Sequence, residues 1–310
     1  MKAAMILGCG YTGKRLARLL CEQGVRVRGT TRDASRAAAI SEAGAEPVIL
    51  DTTKVVSLIS LAEGMDVVFD MIPPRRIAQG AGSGGSGKPG DEESFEDDTA
   101  AIVAVCAGAR LEKFVYLGST GIYGEVAGDW IDEQTPVNPA SPRARARHAA
   151  EETLRAAHAR DGFPAVIVRA PGIYGPDRSL AHRIKRGAYR VPGKGDNYLN
   201  RIHVDDLAQI LAAAALRGSP GAVYLATDDQ PEQARVLADF CAGLLGLPPP
   251  PSVDETEAAR TMGESNLAML QGDKRLSNRR IKEELGVTLR YPTYREGIPA
   301  SLEPGERSRS

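Results

Sequence analysis

The sequence predicts an α/β fold of the Rossmann type, a doubly wound parallel sheet with a smaller C-terminal substrate-binding subdomain. Strand-like and helix-like segments alternate through the first half of the chain, which is the pattern of a parallel sheet covered by helices. A glycine-rich turn directly follows the first strand-like segment. Hydrophobic residues make up 42% of the 310 residues, enough for a substantial core, so a largely disordered chain is excluded.

Hydrophobic spacing and glycine stops place the individual elements. We expect strands at residues 3–7, 25–30, 46–50, 67–71, 113–118 and 165–169, and helices at 14–23, 36–43, 97–109 and 142–160. Residues 1–169 with 203–227 are expected to form the nucleotide-binding domain, residues 170–202 with 228–300 the substrate subdomain, and residues 301–310 a flexible tail. Residues 79–93 are rich in glycine and serine and then acidic. This composition favours a flexible surface loop, either a disordered insertion or a lid over a site.

Charge and cysteine usage exclude several classes of partner. Lysine and arginine total 39 against 40 acidic residues, so the net charge of −1 offers no excess for nucleic acid or an anionic membrane. No apolar run approaches the ~18–20 residues of a membrane span. The four cysteines and four histidines lack the spacing of a metal site, so no metal is expected. Scattered single cysteines favour a cytoplasmic setting.

The turn after the first strand reads Gly-Cys-Gly-Tyr-Thr-Gly from Gly8 to Gly13 and opens the first helix. In this context Gly8 permits a tight turn, Gly10 lets the backbone approach a pyrophosphate, and Gly13 lets the helix pack on the strand. Tyr11 and Thr12 stand at the positive end of the helix, whose N–H groups suit phosphates. The turn therefore predicts a dinucleotide-binding site.

The end of the second strand bears on the choice between NAD and NADP. A NAD site usually places an acid there to bind the ribose 2′-hydroxyl, whereas this chain has Thr31 and Arg32, with Arg36 one turn further. Hydroxyl and guanidinium groups suit a 2′-phosphate, so the sequence favours NADP, with NAD left open by the nearby Asp33. Asp51, at the end of the third strand, either reaches the adenine amino group or caps the next helix.

Further segments match a known family in order. They are Tyr-Leu-Gly-Ser-Thr-Gly-Ile-Tyr-Gly at 116–124, Arg-Ala-Pro-Gly-Ile-Tyr-Gly-Pro at 169–176, Arg-Ile-His-Val-Asp-Asp-Leu at 201–207, and Leu-Gly at 285–286 with Tyr-Pro-Thr-Tyr-Arg-Glu-Gly at 291–297. With the glycine turn, these segments resemble the short-chain dehydrogenase/reductase superfamily, in its extended branch of nucleotide-sugar epimerases and dehydratases. The resemblance covers about residues 3–300. It implies that Ser119 binds a substrate oxygen and that Pro171 and Ile173 lie along the nicotinamide.

The chain departs from the family at its catalytic Tyr-x-x-x-Lys pair. In the matching register after Ser141 and Pro142, Arg143 stands in place of the tyrosine and Arg147 in place of the lysine. An arginine keeps its proton at neutral pH, so it cannot replace the acid/base. Arg147 can still bind the cofactor ribose, and Arg143 can polarise a substrate oxygen. Arg143, Arg147 and Glu151 share one helix face, where a surface ion-pair ladder is the alternative.

The substrate side of the family pattern is also altered. The branch usually carries a diphosphate-binding arginine four residues before His203, where this chain has Leu199, while Arg201 lies two residues before the histidine. Alternate residues of a strand share a face, so Arg201 and His203 are expected to point the same way. Asp205 and Asp206 are expected to cap the following helix. The other candidates are Tyr123 and Tyr174, each a proton donor or a packing residue, and Arg178, which with Tyr174, Arg201 and His203 would bind substrate.

These observations lead to two hypotheses from different classes. The first is an NAD(P)-dependent oxidoreductase or epimerase/dehydratase-like enzyme that acts on a small polar substrate and exchanges hydride at nicotinamide C4. The second is a non-catalytic NADP-binding redox sensor or regulatory protein, favoured by the missing Tyr-x-x-x-Lys pair. A homodimer is compatible with either hypothesis.

Overall fold

A computed structural model of the chain describes residues 1–50, 62–77, 94–262, 267 and 272–303. The predictions for Asp51 and for the loop at residues 79–93 lie outside these residues.

The central feature is a seven-stranded parallel sheet with the strand order β14-β9-β7-β4-β1-β2-β3. Its strands are β1 Ala3–Leu7, β2 Arg26–Thr31, β3 Glu46–Ile49, β4 Val67–Asp70, β7 Lys113–Ser119, β9 Ala165–Ala170 and β14 Val223–Leu225. Strand β1 pairs in parallel with β2 on one side and with β4 on the other, so the chain order reverses beside β1. The predicted Rossmann-type α/β fold is confirmed, and ligands of such sheets bind where the order reverses.

Helices lie between these strands along the chain and also follow the last of them. They are α1 Tyr11–Glu22, α2 Ala37–Ser41, α3 Thr99–Cys106, α4 Pro142–Asp161, α5 Leu180–Lys185, α6 Val204–Arg217, α7 Ala234–Leu244, α8 Glu255–Met262, α9 Arg279–Glu283 and α10 Tyr294–Ala300. Short strands form separate two-stranded pairs: β5 Arg75–Ile77 with β6 Ser94–Glu96, β10 Gly172–Tyr174 with β13 Arg201–His203, β11 Val191–Pro192 with β16 Ser252–Val253, β12 Tyr198–Leu199 with β15 Glu232–Gln233, and β8 Trp130–Ile131 with β17 Arg275–Leu276. None of the helices in the described ranges has the length and apolar character needed to cross a membrane.

The chain divides into two compact units. The first unit comprises Met1–Ile122, Pro139–Arg169 and Leu211–Val223, and the second comprises Tyr123–Asn138, Ala170–Ile210 and the residues from 224 onward. The expected domain boundaries differ from these units at residues 123–138, 203–210 and 224–227. These residues were expected in the nucleotide-binding domain but belong to the second unit.

Each unit has its own apolar core. The core of the first unit includes Met5, Leu7, Phe114, Leu154 and Ile167. The core of the second unit includes Tyr174, Leu180, Leu237, Ile298 and Leu302. The prediction of a flexible tail from residue 301 is wrong at its start, because Ser301 and Leu302 are buried and the apolar Leu302 side chain packs in this core.

The start of α6 also differs from the prediction. Asp206 is buried, and its carboxylate accepts hydrogen bonds from the main-chain N–H groups of Arg290 (2.6 Å) and Tyr291 (2.9 Å). It therefore ties the C-terminal segment to α6, where the sequence predicted a helix cap.

Candidate functional site

The glycine turn has the geometry of a phosphate-binding turn. Gly8 has a φ of +75°, and its N–H group donates to the Thr30 hydroxyl at 3.0 Å. A Cβ at Gly13 would lie 3.2 Å from the Gly8 carbonyl oxygen, so the close packing of helix α1 on β1 leaves little room for a side chain here. A Cβ at Gly10 would meet nothing nearer than 3.9 Å, which leaves the backbone accessible. No side chain caps α1 after Gly10, so its N-terminus suits an anionic group.

At the end of β2, local turn contacts occupy the acidic residue. The Asp33 carboxylate accepts hydrogen bonds from the Ser35 N–H (2.9 Å) and hydroxyl (2.7 Å), and these bonds lower its pKa. Arg36 pairs with the same carboxylate at 3.3 Å, and the Thr31 hydroxyl accepts from the Asp33 N–H at 3.2 Å. Arg32 is exposed, and its guanidinium has no hydrogen-bond or ion-pair partner within the described ranges.

Arg147, at the register of the family lysine, is held against the carboxyl end of β7. Ser141 caps α4 by accepting from the Ala144 N–H at 3.1 Å, which fixes where the helix begins. One nitrogen of Arg147 donates both to the Tyr116 hydroxyl at 3.0 Å and to the Leu117 carbonyl oxygen at 2.9 Å. The guanidinium carbon also lies 5.5 Å from the centre of the Tyr116 ring.

From Arg147, hydrogen bonds continue through a chain of buried and half-buried polar groups. The Tyr116 hydroxyl donates to Asp97 at 3.1 Å, and Asp97 in turn accepts from the Thr99 hydroxyl and from the Thr99 N–H. The Thr99 hydroxyl also lies 3.3 Å from Asp70, the last residue of β4. Burial and then the charge of Asp97 raise the pKa of Asp70 to about 7. We refer to Asp70, Asp97, Thr99, Tyr116 and Arg147 as the Arg147 network.

Two further predicted catalytic residues lie in the same unit. Ser119 ends β7 half-buried, and its hydroxyl oxygen accepts from the Gly121 N–H at 3.2 Å. Arg143, one turn before Arg147 on α4, remains exposed. Partial burial and then the charge of Arg147 lower the pKa of its guanidinium. Two cations at this end of α4 favour an electron-rich ligand group beside them.

Glu151 corrects the alternative of a surface ion-pair ladder along α4. It is fully buried and pairs with the equally buried Arg169, whose nitrogens lie 2.6 and 3.0 Å from its two carboxylate oxygens. A Cβ at Gly118 would lie 3.0 Å from Glu151, so this glycine makes room for the pair. The pair joins α4 to β9, whereas Arg147 turns toward β7.

In the second unit, two predicted site residues are engaged in structural contacts. The His203 ring packs edge-on against Tyr174, with centroids 5.3 Å apart, and against Tyr291 at 4.0 Å, and its Nδ1 accepts from the Asp205 N–H at 3.2 Å. Tyr123 is fully buried, and its hydroxyl donates to the Asp132 carbonyl oxygen at 3.0 Å. These contacts give Tyr123 a packing role, and they do not support it as a proton donor.

The remaining predicted residues of the second unit lie on one strand pair and its turn. Arg201 on β13 lies opposite Gly172 on β10, and Arg178 is exposed on the turn that follows β10. Pro171 and Ile173 are half-buried, and their place along the nicotinamide stays a prediction.

The partners of Arg147 were missed by sequence reasoning. Asp70 carried a usable signal, because it ends an otherwise apolar strand at the edge where parallel sheets bind ligands. From its position just before α3, Asp97 would be predicted to cap that helix, and Tyr116, within an apolar strand, would be predicted to be a core aromatic residue. Only the packing shows that they contact each other.

Within the described residues, no three His, Cys, Asp or Glu side chains are placed to hold a metal ion, and all four cysteines are free.

A parallel sheet with an uncapped helix behind a glycine turn is typical of the Rossmann class of dinucleotide-binding folds. Comparison with known proteins is more specific. Residues 4–226 match the NAD dependent epimerase/dehydratase family, and the chain belongs to this family. The predicted resemblance is therefore confirmed, as is the predicted class of NAD(P)-dependent oxidoreductase or epimerase/dehydratase-like protein.

Two curated relatives differ in how much of their length the chain spans. A 3-diazoavenalumate denitrifying reductase of a Streptomyces species is 26% identical over 314 residues, which cover 96% of this chain and 99% of the relative. An uncharacterised protein of Sinorhizobium fredii is 29% identical over 222 residues, which cover 69% of this chain but 54% of that protein.

Solved structures share the fold over nearly the whole chain. A functionally unknown conserved protein from Silicibacter pomeroyi is 33% identical, with a TM-score of 0.77 over 97% of this chain and 98% of that one. A dTDP-glucose 4,6-dehydratase from Streptomyces venezuelae with NAD bound is 17% identical, with a TM-score of 0.76 over 96% of this chain and 95% of that one.

Proposed function

We propose that the protein is an NADP-dependent oxidoreductase or epimerase-like enzyme for a small polar substrate, with an arginine in place of the family's ribose-binding lysine. The observation that carries this proposal is the fixed position of Arg147, whose guanidinium two acceptors hold at the carboxyl edge of the sheet. Its other nitrogens are donors that suit a pair of ribose hydroxyls. The four free cysteines support the cytoplasmic setting that we propose with it.

The residues of the glycine turn fit a dinucleotide. Gly8, Gly10 and Gly13, with the N–H groups of Tyr11 and Thr12, would hold its pyrophosphate at the uncapped end of α1. For NADP, the exposed Arg32 would bind the 2′-phosphate, with Thr31 and Arg36 beside it. Support for NADP over NAD comes from Asp33, because its carboxylate is occupied by Ser35 and Arg36.

The bound nicotinamide would supply hydride exchange, and the chain would bind and polarise the substrate. Ser119 and Arg143 would donate hydrogen bonds to the substrate oxygen and stabilise negative charge that develops there. Arg143 keeps its own proton at neutral pH, so the oxygen would take its proton from solvent while the Ser119 hydroxyl donates a hydrogen bond to it. Such a site suits substrates whose reduction depends weakly on protein acid catalysis.

A calorimetric titration with NADPH and then NADH tests the proposal. We expect NADPH to bind more tightly, and Arg32→Ala to weaken its binding by about 1–3 kcal/mol, the scale of a charge-assisted hydrogen bond. Arg26→Ala, an exposed arginine at the other end of β2, is the matched control and should leave binding unchanged. Binding of neither nucleotide would overturn the proposal, and tighter NADH binding would overturn its NADP part.

A non-catalytic NADP-binding sensor is the second candidate, favoured by Arg143 and Arg147 at the positions of the acid/base pair. The double variant Arg143→Tyr with Arg147→Lys separates the two. Reductase activity toward generic carbonyl substrates that arises only in the double variant would favour the sensor or an unusual native reaction. NADPH oxidation by the native protein with a screened substrate would favour the enzyme.

A further inference from the structure

We propose that the second unit binds an oxyanion, the carboxylate or phosphate group of the substrate, on the guanidinium of Arg201, with Tyr174, Tyr189, Arg183 and Asp228 around it. The inference rests on the proposed function only in taking the anion to be part of the substrate. Binding of the anion itself can be tested separately.

Arg201 is a half-buried cation without a partner. Its Nε atom is buried and makes no hydrogen bond, and its side chain forms no ion pair or hydrogen bond with any residue that the structure describes. Strand β10 makes room for it, because a Cβ at Gly172 would lie 2.9 Å from the guanidinium. Placing a charged group out of water without a partner is costly. A buried polar group left unpaired in a folded protein therefore needs an explanation, and a ligand supplies one.

Two phenol groups near Arg201 are likewise buried without a hydrogen-bond partner in the described residues. The hydroxyl oxygens of Tyr174 and Tyr189 are buried, and neither has a hydrogen-bond partner in the described part of the chain. Burial raises the pKa of both phenols, and the charge of Arg201 acts against this on each of them, so both lie within its electrostatic reach. At neutral pH each phenol is a hydrogen-bond donor.

A second cation lies beside Tyr189. The guanidinium carbon of Arg183 is 5.2 Å from the centre of the Tyr189 ring. Burial lowers the pKa of Arg183, and the charge of Arg201 lowers it further. Two arginines that repel each other are stabilised together when an anion binds to both.

Asp228 completes the cluster. It is buried, one of its carboxylate oxygens has no hydrogen-bond partner, and it forms no ion pair with Arg201. Burial raises its pKa well above the usual range, which favours the neutral acid. A neutral Asp228 is a further donor and does not compensate the charge of Arg201. Arg201, the two phenols and a neutral Asp228 are then all hydrogen-bond donors, and an oxyanion accepts such bonds.

Phosphorus NMR titration of the intact protein with inorganic phosphate tests the site, with and without saturating NADPH. We expect phosphate to bind in both cases, and Arg201→Met to weaken binding at least about tenfold. Arg279→Met is the matched control, because this arginine of α9 is 74% exposed and lies in the same unit. Acetate is the second probe. Displacement of phosphate by acetate indicates a carboxylate site, and phosphate binding that acetate leaves intact indicates a phosphate site.

Thermal unfolding separates a ligand-binding role from a structural one. Without added anion, Arg201→Met should unfold at the same temperature as the native protein or higher, because it removes an unpaired buried cation. Phosphate should raise the unfolding temperature of the native protein and leave that of the variant unchanged. Binding of neither probe, phosphate binding unaffected by Arg201→Met, or a large loss of stability in the variant without anion would each overturn the inference. So would competition between phosphate and NADPH, since it would place the phosphate on the glycine turn. Failure of NADPH to bind would count only against the proposed function.

Discussion

Arg147 in the first unit and Arg201 in the second are both partly buried arginines beside a tyrosine, yet their surroundings differ. Arg147 donates to a tyrosine hydroxyl and a main-chain oxygen, and that tyrosine is itself bonded to a carboxylate. Arg201 has no such bond, and the tyrosine hydroxyls near it are also unpaired. The first arginine is positioned by the protein, so it can present its remaining donors in a fixed direction. The second arginine has no hydrogen-bond acceptor among the residues that the structure describes.

Among these arginines, Arg169 should cause the largest loss of stability when it is replaced, because it is buried and paired with a buried carboxylate. We expect Arg169→Met to lower the free energy of unfolding by about 3–5 kcal/mol, since it removes the buried partner of the Glu151 carboxylate and leaves only the partly exposed Arg155, 3.3 Å away. Urea unfolding measures the loss. The double variant with Glu151→Met should recover part of it. An equal loss in Arg201→Met would remove the distinction between a paired and an unpaired arginine.

The pH dependence of stability sharpens the account of the Arg147 network. Asp70 has a pKa raised to about 7 by burial and by Asp97, while Arg147 and Thr99 act against the shift. The folded state thus holds a proton that the unfolded state releases near pH 4, so stability falls as pH rises from about 4 to about 7. We expect this fall to amount to roughly 2–4 kcal/mol, and Asp70→Asn to abolish it in unfolding titrations across that range.

Asp66, just before the opposite end of the same strand, is the matched control for Asp70. The main-chain N–H groups of Lys2 and Ala3 donate to its carboxylate and lower its pKa. Ionised Asp66 therefore stabilises the folded state at neutral pH, and this stabilisation is lost as the pH falls through the lowered pKa of Asp66. Asp66→Asn should therefore change the pH dependence of stability only at acid pH. A change between about pH 4 and pH 7, the range assigned to Asp70, would contradict the assignment of that range to Asp70.

The smallest expected effect concerns the positioning of Arg147. Asp97→Asn and Tyr116→Phe should each weaken NADPH binding by about 1 kcal/mol, the net value of one hydrogen bond, because Arg147 loses part of its support. Calorimetry measures the effect. Asp98→Asn is the control, because Asp98 pairs with Arg75 at 3.3 Å outside the network. Unchanged NADPH binding in both variants would show that Arg147 needs no such support.

Local patterns predicted the fold and the glycine turn well, because strand alternation and glycine spacing act over a few residues. The register of Arg147 was likewise visible from the Ser-Pro start of α4. Contacts over long sequence separations were not predictable. Glu151 looked like a surface acid because helix periodicity shows which residues share a face but not whether that face packs on β9. Asp206 looked like a helix cap for a similar reason, since its partners lie more than 80 residues further along the chain.

The cysteines provide a means of timing the unfolding of each unit. Cys9 and Cys106 lie in the first unit and Cys241 in the second, and burial raises the pKa of each thiol to about 12. Because only the thiolate reacts readily, all three are protected from alkylation while their own unit is folded. A brief pulse of iodoacetamide at increasing urea concentration, followed by peptide mass spectrometry, would label each unit as it opens. Simultaneous labelling of Cys9 and Cys241 would mean that the two units unfold as one cooperative body, and successive labelling would show which opens first.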